Sequence, residues 1–443
     1  MANPAAAAPV APDDALTKEK LRVAFAAMIG AIIEWYDFFA YGTAAALVFR
    51  EVFFPNLSPT MGLVVSYGTF SVGYLARPLG AVLMGHIGDK VGRKGMLVLT
   101  VVTMGIATVL IGFLPSYAAI GIWAPILLIG LRLVQGFAVG GEVGGAILIA
   151  VEHAPRGRRG MFSGFPQIGV AAGLVLANLV FLGANLSMSP ADFLAYGWRI
   201  PFISSFVLVV VGLYIRLRVS ESPVFLAMRE RGRATTVPLV DLFRRGWTMI
   251  IRVILSTFFP NTLGYITLFF ILSYGTQTLH LTRSTLLTFV IVANACEVLM
   301  TLSSGALSDR LGRKRTLLLG SGVGIVMGAL FFPMVDTAMP VLVFLAILIV
   351  RLGIAVMWGP WGAMISEQFD TNIRYTAIGV CTSLSSIIGA QTPSIAALLA
   401  AGSNGSLALS IFLCLSSVVA FVAILTIPDT TKVALNDELM KRA

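Results

Sequence analysis

Residues 85–94 read GHIGDKVGRK, and the pattern returns at 305–314 as GALSDRLGRK, an offset of 220 residues. Gly85, Asp89, Gly92, Arg93 and Lys94 match Gly305, Asp309, Gly312, Arg313 and Lys314. An internal repeat of this length makes each half of the chain one structural unit. The surroundings of the repeat define what the unit is. A bilayer-crossing helix needs about 20 mostly apolar residues, and twelve segments qualify: 22–49, 60–84, 95–114, 121–148, 161–186, 199–218, 247–278, 284–305, 315–335, 340–365, 376–400 and 406–427. The two copies of the turn fall at equivalent places, between the second and third segments and between the eighth and ninth.

Composition agrees with this reading. Of the 443 residues, 57% are hydrophobic and 12% charged, against about 25% charged in a soluble globular chain; the mean hydropathy is +0.90. The expected fold is an all-α polytopic membrane protein of twelve transmembrane helices in two pseudo-symmetric six-helix bundles. Its parts would be an N-terminal tail at 1–21, a first bundle at 22–218, a central loop at 219–246, a second bundle at 247–427 and a short tail at 428–443.

The net charge of +10 follows membrane topology rather than a nucleic-acid surface. Lys18, Lys20, Arg22, the turn around Arg93, the run at 156–159, the central loop, the turn around Arg313, Arg374 and the C-terminal lysines all fall on one side. Only Arg50, Arg199 and Arg283 fall on the other. The positive-inside rule then places both termini in the cytoplasm. The N-terminus lacks the basic-then-apolar order of a signal peptide. Cys296, Cys381 and Cys414 lie inside apolar segments without metal or redox spacing.

Charges within the spans mark the chemistry, because an ionisable group at membrane depth is costly and faces the bundle interior or a wet cavity. In EWYDF (34–38), Glu34 and Asp37 sit near the middle of the first span. With Phe38 and Tyr41 they recur at spacings of three and four, so they share one helix face. Arg132 and Arg351 lie at equivalent depth in opposite halves, at an offset of 219 residues. Arg77 has Glu297 as its counterpart by the repeat offset of 220, and that pair of opposite charges could meet across the halves. Burial and carboxylate–carboxylate proximity favour a bound proton at Asp37 or Glu34, whereas a nearby arginine favours the ionised form. A group balanced in this way can carry a proton across, with Asp37 as carrier and Glu34 assisting. A purely structural pairing with Arg132 would satisfy the same charges. The forked guanidiniums of Arg132 and Arg351 suit a carboxylate held bidentately, and a structural ion pair within its own half is the other reading of each. Tyr41, Gln135, Gln167, Asn178, Asn261, Tyr265, Trp358, Trp361 and Gln391 are the polar and aromatic candidates for the rest of the cavity lining.

The charged turns read as a gate on one side of the membrane. Asp89 and Arg93, Asp309 and Arg313, with Glu142, Glu152, Arg159, Glu221, Glu367 and Arg374 as partners, could hold that side closed and separate when the halves rock.

The repeated G-x-x-x-D-x-x-G-R-K turn resembles the signature loop of the major facilitator superfamily. EWYDFFAYG (34–42), RPLGAVLMGHIGDKVGRK (77–94), GGEVGGA (140–146), EHAPRGRRG (152–160), WRIPF (198–202) and ESPVF (221–225) together resemble its metabolite:proton symporter family, which carries shikimate, 2-oxoglutarate, citrate, and proline or betaine. The stretch ALVFREVFFPNLSPTMG (46–62) is most similar to the shikimate-carrier branch. The resemblance implies a carrier of the bacterial inner membrane that imports a small carboxylate with protons. It implies no cofactor or metal beyond the proton as coupling ion, and no nucleic-acid partner; the lipid bilayer is its surroundings and the expected state is monomeric. The long coiled-coil tail of osmosensing proline/betaine carriers has no counterpart in the expected tail at 428–443. Gly160, Gly169 and Gly173 keep the early spacing of the drug-antiporter glycine pattern, but Leu174-Val175 replaces its ending, which favours symport. A zwitterion carrier and a transporter-like sensing receptor remain the alternatives. An enzyme is not expected: His86, His153 and His280 are scattered, and no P-loop pattern is present.

Overall fold

A computed structural model describes residues 18–91, 93–140, 145–155, 157–218, 238–369 and 371–431. Each of the twelve expected spans is helical over most of its described residues. They are labelled in chain order α1 (Lys18–Leu47), α2 (Pro59–Val91), α3 (Arg93–Phe113), α4 (Trp123–Gly140, with Gly145–Glu152 beyond it), α5 (Arg159–Leu186) and α6 (Ile200–Arg218) in the first half. The second half contains α7 (Pro238–Ser256, Phe258–Tyr265, a π-turn Ile266–Phe270, and Ile271–Gln277), α8 (Arg283–Leu311), α9 (Arg313–Val335), α10 (Pro340–Gln368), α11 (Thr371–Ala400) and α12 (Gly405–Thr426). Among the described residues ten helices are long and apolar enough to cross a membrane, and Val98–Phe113 forms a shorter apolar helix. Large apolar side chains such as Leu79, Phe206, Leu299 and Val341 stand on the outside, where lipid rather than water solvates them.

Two departures from the expected boundaries have physical causes. First, α7 starts at Pro238 and takes residues 238–246 from the expected central loop. Pro at the first helical position is favourable. The helix then buries Leu242, Ile250 and Val253, at i, i+8 and i+11, which share one face. Second, α7 is broken at Thr257. Pro260 has no N–H to give the Ser256 carbonyl and its ring crowds that turn, so the helix restarts rather than continues. The residues just after α12 are also not a free tail: Gln368 Nε2 donates to Pro428 O (3.0 Å) and Arg313 N donates to Thr431 Oγ1 (2.8 Å).

The halves meet along α5 with α8 and α10, and along α2 with α11. Near the end that carries the repeated turns, α5 and α8 approach so closely that a Cβ at Gly305 would overlap the Gly160 carbonyl, and one at Gly160 would overlap Ser308. Small residues permit this crossing and no side chain could replace either hydrogen. Ser163 Oγ donates to Gly359 O (2.6 Å) just beside it. Toward the opposite end, Tyr67 Oη lies 2.7 Å from Ser273 Oγ and 3.2 Å from the Phe269 carbonyl, which the π-turn displaces. Ser71 Oγ donates to Ala390 O (2.6 Å) and Ser394 Oγ to Val64 O (3.2 Å). Among the described residues, hydrogen bonds therefore join the halves toward both ends.

Gly305→Val should force α5 and α8 apart, at a cost of roughly 1–3 kcal/mol. Gly322→Ala, at a position with open space around it, should leave the melting temperature of the detergent-solubilised protein unchanged. Equal melting of both variants would contradict the close crossing.

Candidate functional site

The buried charges lie in two unlike arrangements. In the first half, Asp37 and Arg132 do not touch. Thr108 Oγ1 on α3 donates to Asp37 Oδ2 (2.8 Å), Gln135 Nε2 donates to Thr108 Oγ1 (2.7 Å), and Arg132 Nη1 donates to Gln135 Oε1 (3.0 Å). The chain runs Asp37–Thr108–Gln135–Arg132, and Asp37, Arg132 and Gln135 are all buried. Thr108 Oγ1 also lies 2.9 Å from the Met104 carbonyl. A hydroxyl has one hydrogen, so Thr108 donates either to Asp37 or to Met104. Arg132 Nε donates to Phe70 O (3.3 Å), and its Cζ is 4.3 Å from the Tyr41 ring centroid and 4.4 Å from that of Phe38. Asp37 Oδ1, Tyr41 Oη and Arg132 Nη2 are buried without hydrogen-bond partners.

In the second half, Arg351 Nε donates to Glu297 Oε2 (2.8 Å) and Nη2 closes on the same oxygen. Both residues are buried. Arg351 thus spends its fork on an acid of its own half, and Glu297 is paired within the half rather than with Arg77. The cross-half Arg77–Glu297 pairing expected as one option does not occur. Arg77 is instead packed among aromatic rings, its Cζ 4.3 Å from the centroids of Phe38 and Tyr74 and 5.4 Å from that of Trp35.

The other expected lining residues divide. Tyr265 Oη donates to Tyr74 Oη (3.0 Å) across the halves, within an aromatic group of Phe38, Phe39, Phe70, Tyr74 and Phe269. Trp358 and Trp361 stack edge-to-face at 5.2 Å, with Trp358 partly buried. Gln167 and Gln391 are partly buried. Asn261 Nδ2 donates to Ser385 O (3.2 Å) and holds α7 on α11, while Asn178 Oδ1 accepts from Thr43 (2.9 Å) and holds α5 on α1. Glu34 is partly buried. Tyr36 donates to Pro201 O (2.9 Å), a packing contact with α6.

Six of the expected gate residues come together at the end with the repeated turns. Asp309 accepts from the backbone N–H of Gly160 (2.9 Å) and Met161 (3.0 Å), in the first turn of α5, where a carboxylate also meets the positive end of the helix dipole. Arg313 Nη1 donates to Asp309 (2.6 Å) and Nη2 to Glu367 Oε1 (3.3 Å). Glu367 also lies 4.0 Å from Arg159 and accepts from Thr430 (3.0 Å). Arg374 lies 4.0 Å from Glu152. The side chains of Asp89 and Arg93, and the residues Glu142 and Glu221, lie outside the described part. Thr108 was the member of the polar chain that the sequence did not single out; its signal is a threonine inside an apolar span.

The family model of the Major Facilitator Superfamily matches residues 27–393. The chain belongs to the major facilitator superfamily. It is 40% identical over 390 residues to the inner membrane metabolite transport protein YhjE of Escherichia coli, covering 85% of this chain and 87% of that one. It is 38% identical over 382 residues to the shikimate transporter of Escherichia coli, with the same coverage of 85% and 87%. Among solved structures, the xylose transporter XylE from Escherichia coli in a partially occluded inward-open conformation superposes with a TM-score of 0.74 at 20% identity, over 95% of this chain and 100% of that one. This superfamily member is a multi-pass membrane transporter of the twelve-helix fold, and not an enzyme.

Arg351→Gln should strand the Glu297 carboxylate in the bundle and destabilise the protein by about 3–5 kcal/mol. Adding Glu297→Gln should restore much of that loss, because no buried charge is then left alone. A double variant that melts no higher than Arg351→Gln would show that the pair does not carry the stability.

Proposed function

We propose that this transporter imports a small organic acid together with a proton across the bacterial inner membrane, with both termini in the cytoplasm, by alternating access between its two halves. The observation that supports this most directly is the buried chain from Asp37 through Thr108 and Gln135 to Arg132. It links a group that can take up a proton to a cation with a donor to spare.

The chemistry follows from charge balance. A proton on Asp37 removes one negative charge from the enclosed site, and an anion on Arg132 removes one positive charge. Binding either alone changes the buried net charge; binding both leaves it as it was. Charge enclosed in a low-dielectric interior is costly, so a proton on Asp37 makes the site beside Arg77 and Arg132 more positive and draws the anion in, and each occupant favours binding of the other. That is the condition for symport. Thr108 accommodates the two states of Asp37. Its hydroxyl donates to the carboxylate when Asp37 is ionised. When Asp37 carries a proton, the acid donates to Thr108, whose hydrogen turns to the Met104 carbonyl, and Gln135 keeps its bond in both states.

Bonds of Asp309 to the first turn of α5, with the Glu367 and Arg374 contacts, act as the gate on the cytoplasmic side. Separation of these charged groups, each of which water can solvate, lets that side open while the seam of Tyr67, Tyr74 and Tyr265 stays closed. An organic acid is favoured over a zwitterion such as betaine. The rings around Arg132 that would hold a quaternary ammonium already face the chain's own guanidiniums.

Asp37→Asn should abolish proton-driven accumulation in proteoliposomes while leaving substrate counterflow measurable. Thr108→Val should weaken accumulation without matching that loss, since a valine can neither donate to nor accept from Asp37. Full accumulation by Asp37→Asn would move the coupling to another group. Competition of uptake by dicarboxylates against glycine betaine separates the acid reading from the zwitterion reading.

A further inference from the structure

The repeat makes two pairs of positions equivalent: Arg77 with Glu297, and Arg132 with Arg351. In the second half the two members carry opposite charges and meet, with both Nε and Nη2 of Arg351 on one carboxylate oxygen of Glu297. In the first half the same two positions are both arginine. They cannot neutralise each other, and the structure shows what each does instead.

Arg132 uses Nε on the Phe70 carbonyl and Nη1 on Gln135, which leaves Nη2 unpartnered. Arg77 is 1% exposed, and both its Nε and its Nη2 are buried without a hydrogen-bond partner. Those two nitrogens form one edge of the planar guanidinium, with parallel N–H bonds spaced to match the two oxygens of a carboxylate. It is the edge that Arg351 commits to Glu297. Of these three buried arginines, Arg77 alone keeps it whole. Contacts with Phe38, Tyr74 and Trp35 hold the cation through ring faces and consume none of its edge donors. Tyr74, one turn along α2, bonds Tyr265 of the other half, so the edge stands close to the seam between the halves.

We infer that Arg77 is a substrate-binding residue whose Nε–Nη2 edge takes a carboxylate of the transported acid side-on. The carboxylate supplies in the first half what Glu297 supplies in the second. Arg132, through Nη2, adds a single donor rather than the bidentate clamp expected from its sequence position, and Arg351 is an internal counter-ion. The substrate is accordingly an organic acid with at least one ionised carboxylate, bound chiefly by the first half. This rests on the reading of the chain as an organic-acid carrier.

The test is calorimetric titration of the purified full-length carrier with shikimate, 2-oxoglutarate and citrate, each set against its methyl ester. The wild type should bind at least one acid more tightly than its ester. Arg77→Lys keeps the charge but not the fork, and should weaken that acid by roughly tenfold or more while leaving ester affinity within about twofold. Unchanged acid affinity in Arg77→Lys overturns the assignment and leaves the carrier reading standing. An equal fall for acid and ester also overturns it, because a structural role would produce that pattern. Failure of every acid to bind the wild type overturns both. A second measurement does not depend on the folding of Arg77→Lys. Trp35 lies 5.4 Å from the guanidinium, so tryptophan emission of the wild type should change on addition of the acid and stay constant on addition of its ester. An emission change of equal size with acid and ester counts against binding at Arg77.

Discussion

The ring of Phe38 stands within 4.3 Å of the Arg77 guanidinium and 4.4 Å of the Arg132 guanidinium, and two like charges buried this close constrain everything around them. Neither can be solvated by lipid. The bundle therefore surrounds them with the faces of Phe38, Tyr41, Tyr74 and Trp35, and with the Phe70 carbonyl and the Gln135 amide. These partners come from α1, α2 and α4, so the cations dictate how those helices pack. Asp37 is the buried acid joined to this group through Thr108 and Gln135. Its position on the inward face of α1 follows from the need for negative charge near two positive ones.

The internal repeat relates the two halves, and the difference between Arg77 and Glu297 at one of its paired positions explains the asymmetry. An acid at 297 makes the second half electrostatically complete, since Arg351 and Glu297 travel together as a neutral pair in any motion of that half. An arginine at 77 leaves the first half with unmet donors. A half that is complete can rock as a rigid body without changing its solvation. In the proposed cycle the incomplete half responds to what enters it, because a ligand changes its buried charge and hence the cost of enclosing it.

Most of the architecture was legible in the sequence. Spans are read from length and apolarity, and the repeated turn fixed the two halves; both signals are strong because lipid permits little else. The start of α7 was not, because residues 238–246 carry Asp241, Arg244 and Arg245, and the average over a window hides an amphipathic helix. The break at Thr257 was written in Pro260. Asp37, Arg132 and the charged cluster of Asp309, Arg313 and Glu367 were visible as charges in unusual places. Partner choice was not visible. Arg132 and Arg351 look alike by depth and spacing, yet they differ in what stands opposite each, and that depends on tertiary contacts with Phe70, Gln135 and Glu297. Thr108 was hidden for a related reason: a hydroxyl in an apolar span usually bonds its own helix, as Thr108 also does at Met104, and only geometry shows the acid beyond it.

The proposed gate and the proposed binding region share the same helices. α5 carries the Gly160 crossing and the N–H groups that bind Asp309, and it also carries Asn178, which holds α1 through Thr43. α1 in turn carries Asp37 and Phe38. A rotation that pulls the start of α5 from Asp309 therefore displaces the helix that supports the acid and the ring between the two arginines. Such coupling needs no dedicated pathway of residues. It requires only that α5 be stiff and that its contacts with α8 at one end and α1 along its length be tight. The glycine crossing supplies the tight contact with α8, because a contact with no side chains between backbones has almost no compliance. In the proposed cycle, opening at the gate and rearrangement around Phe38 are then two views of one rigid displacement.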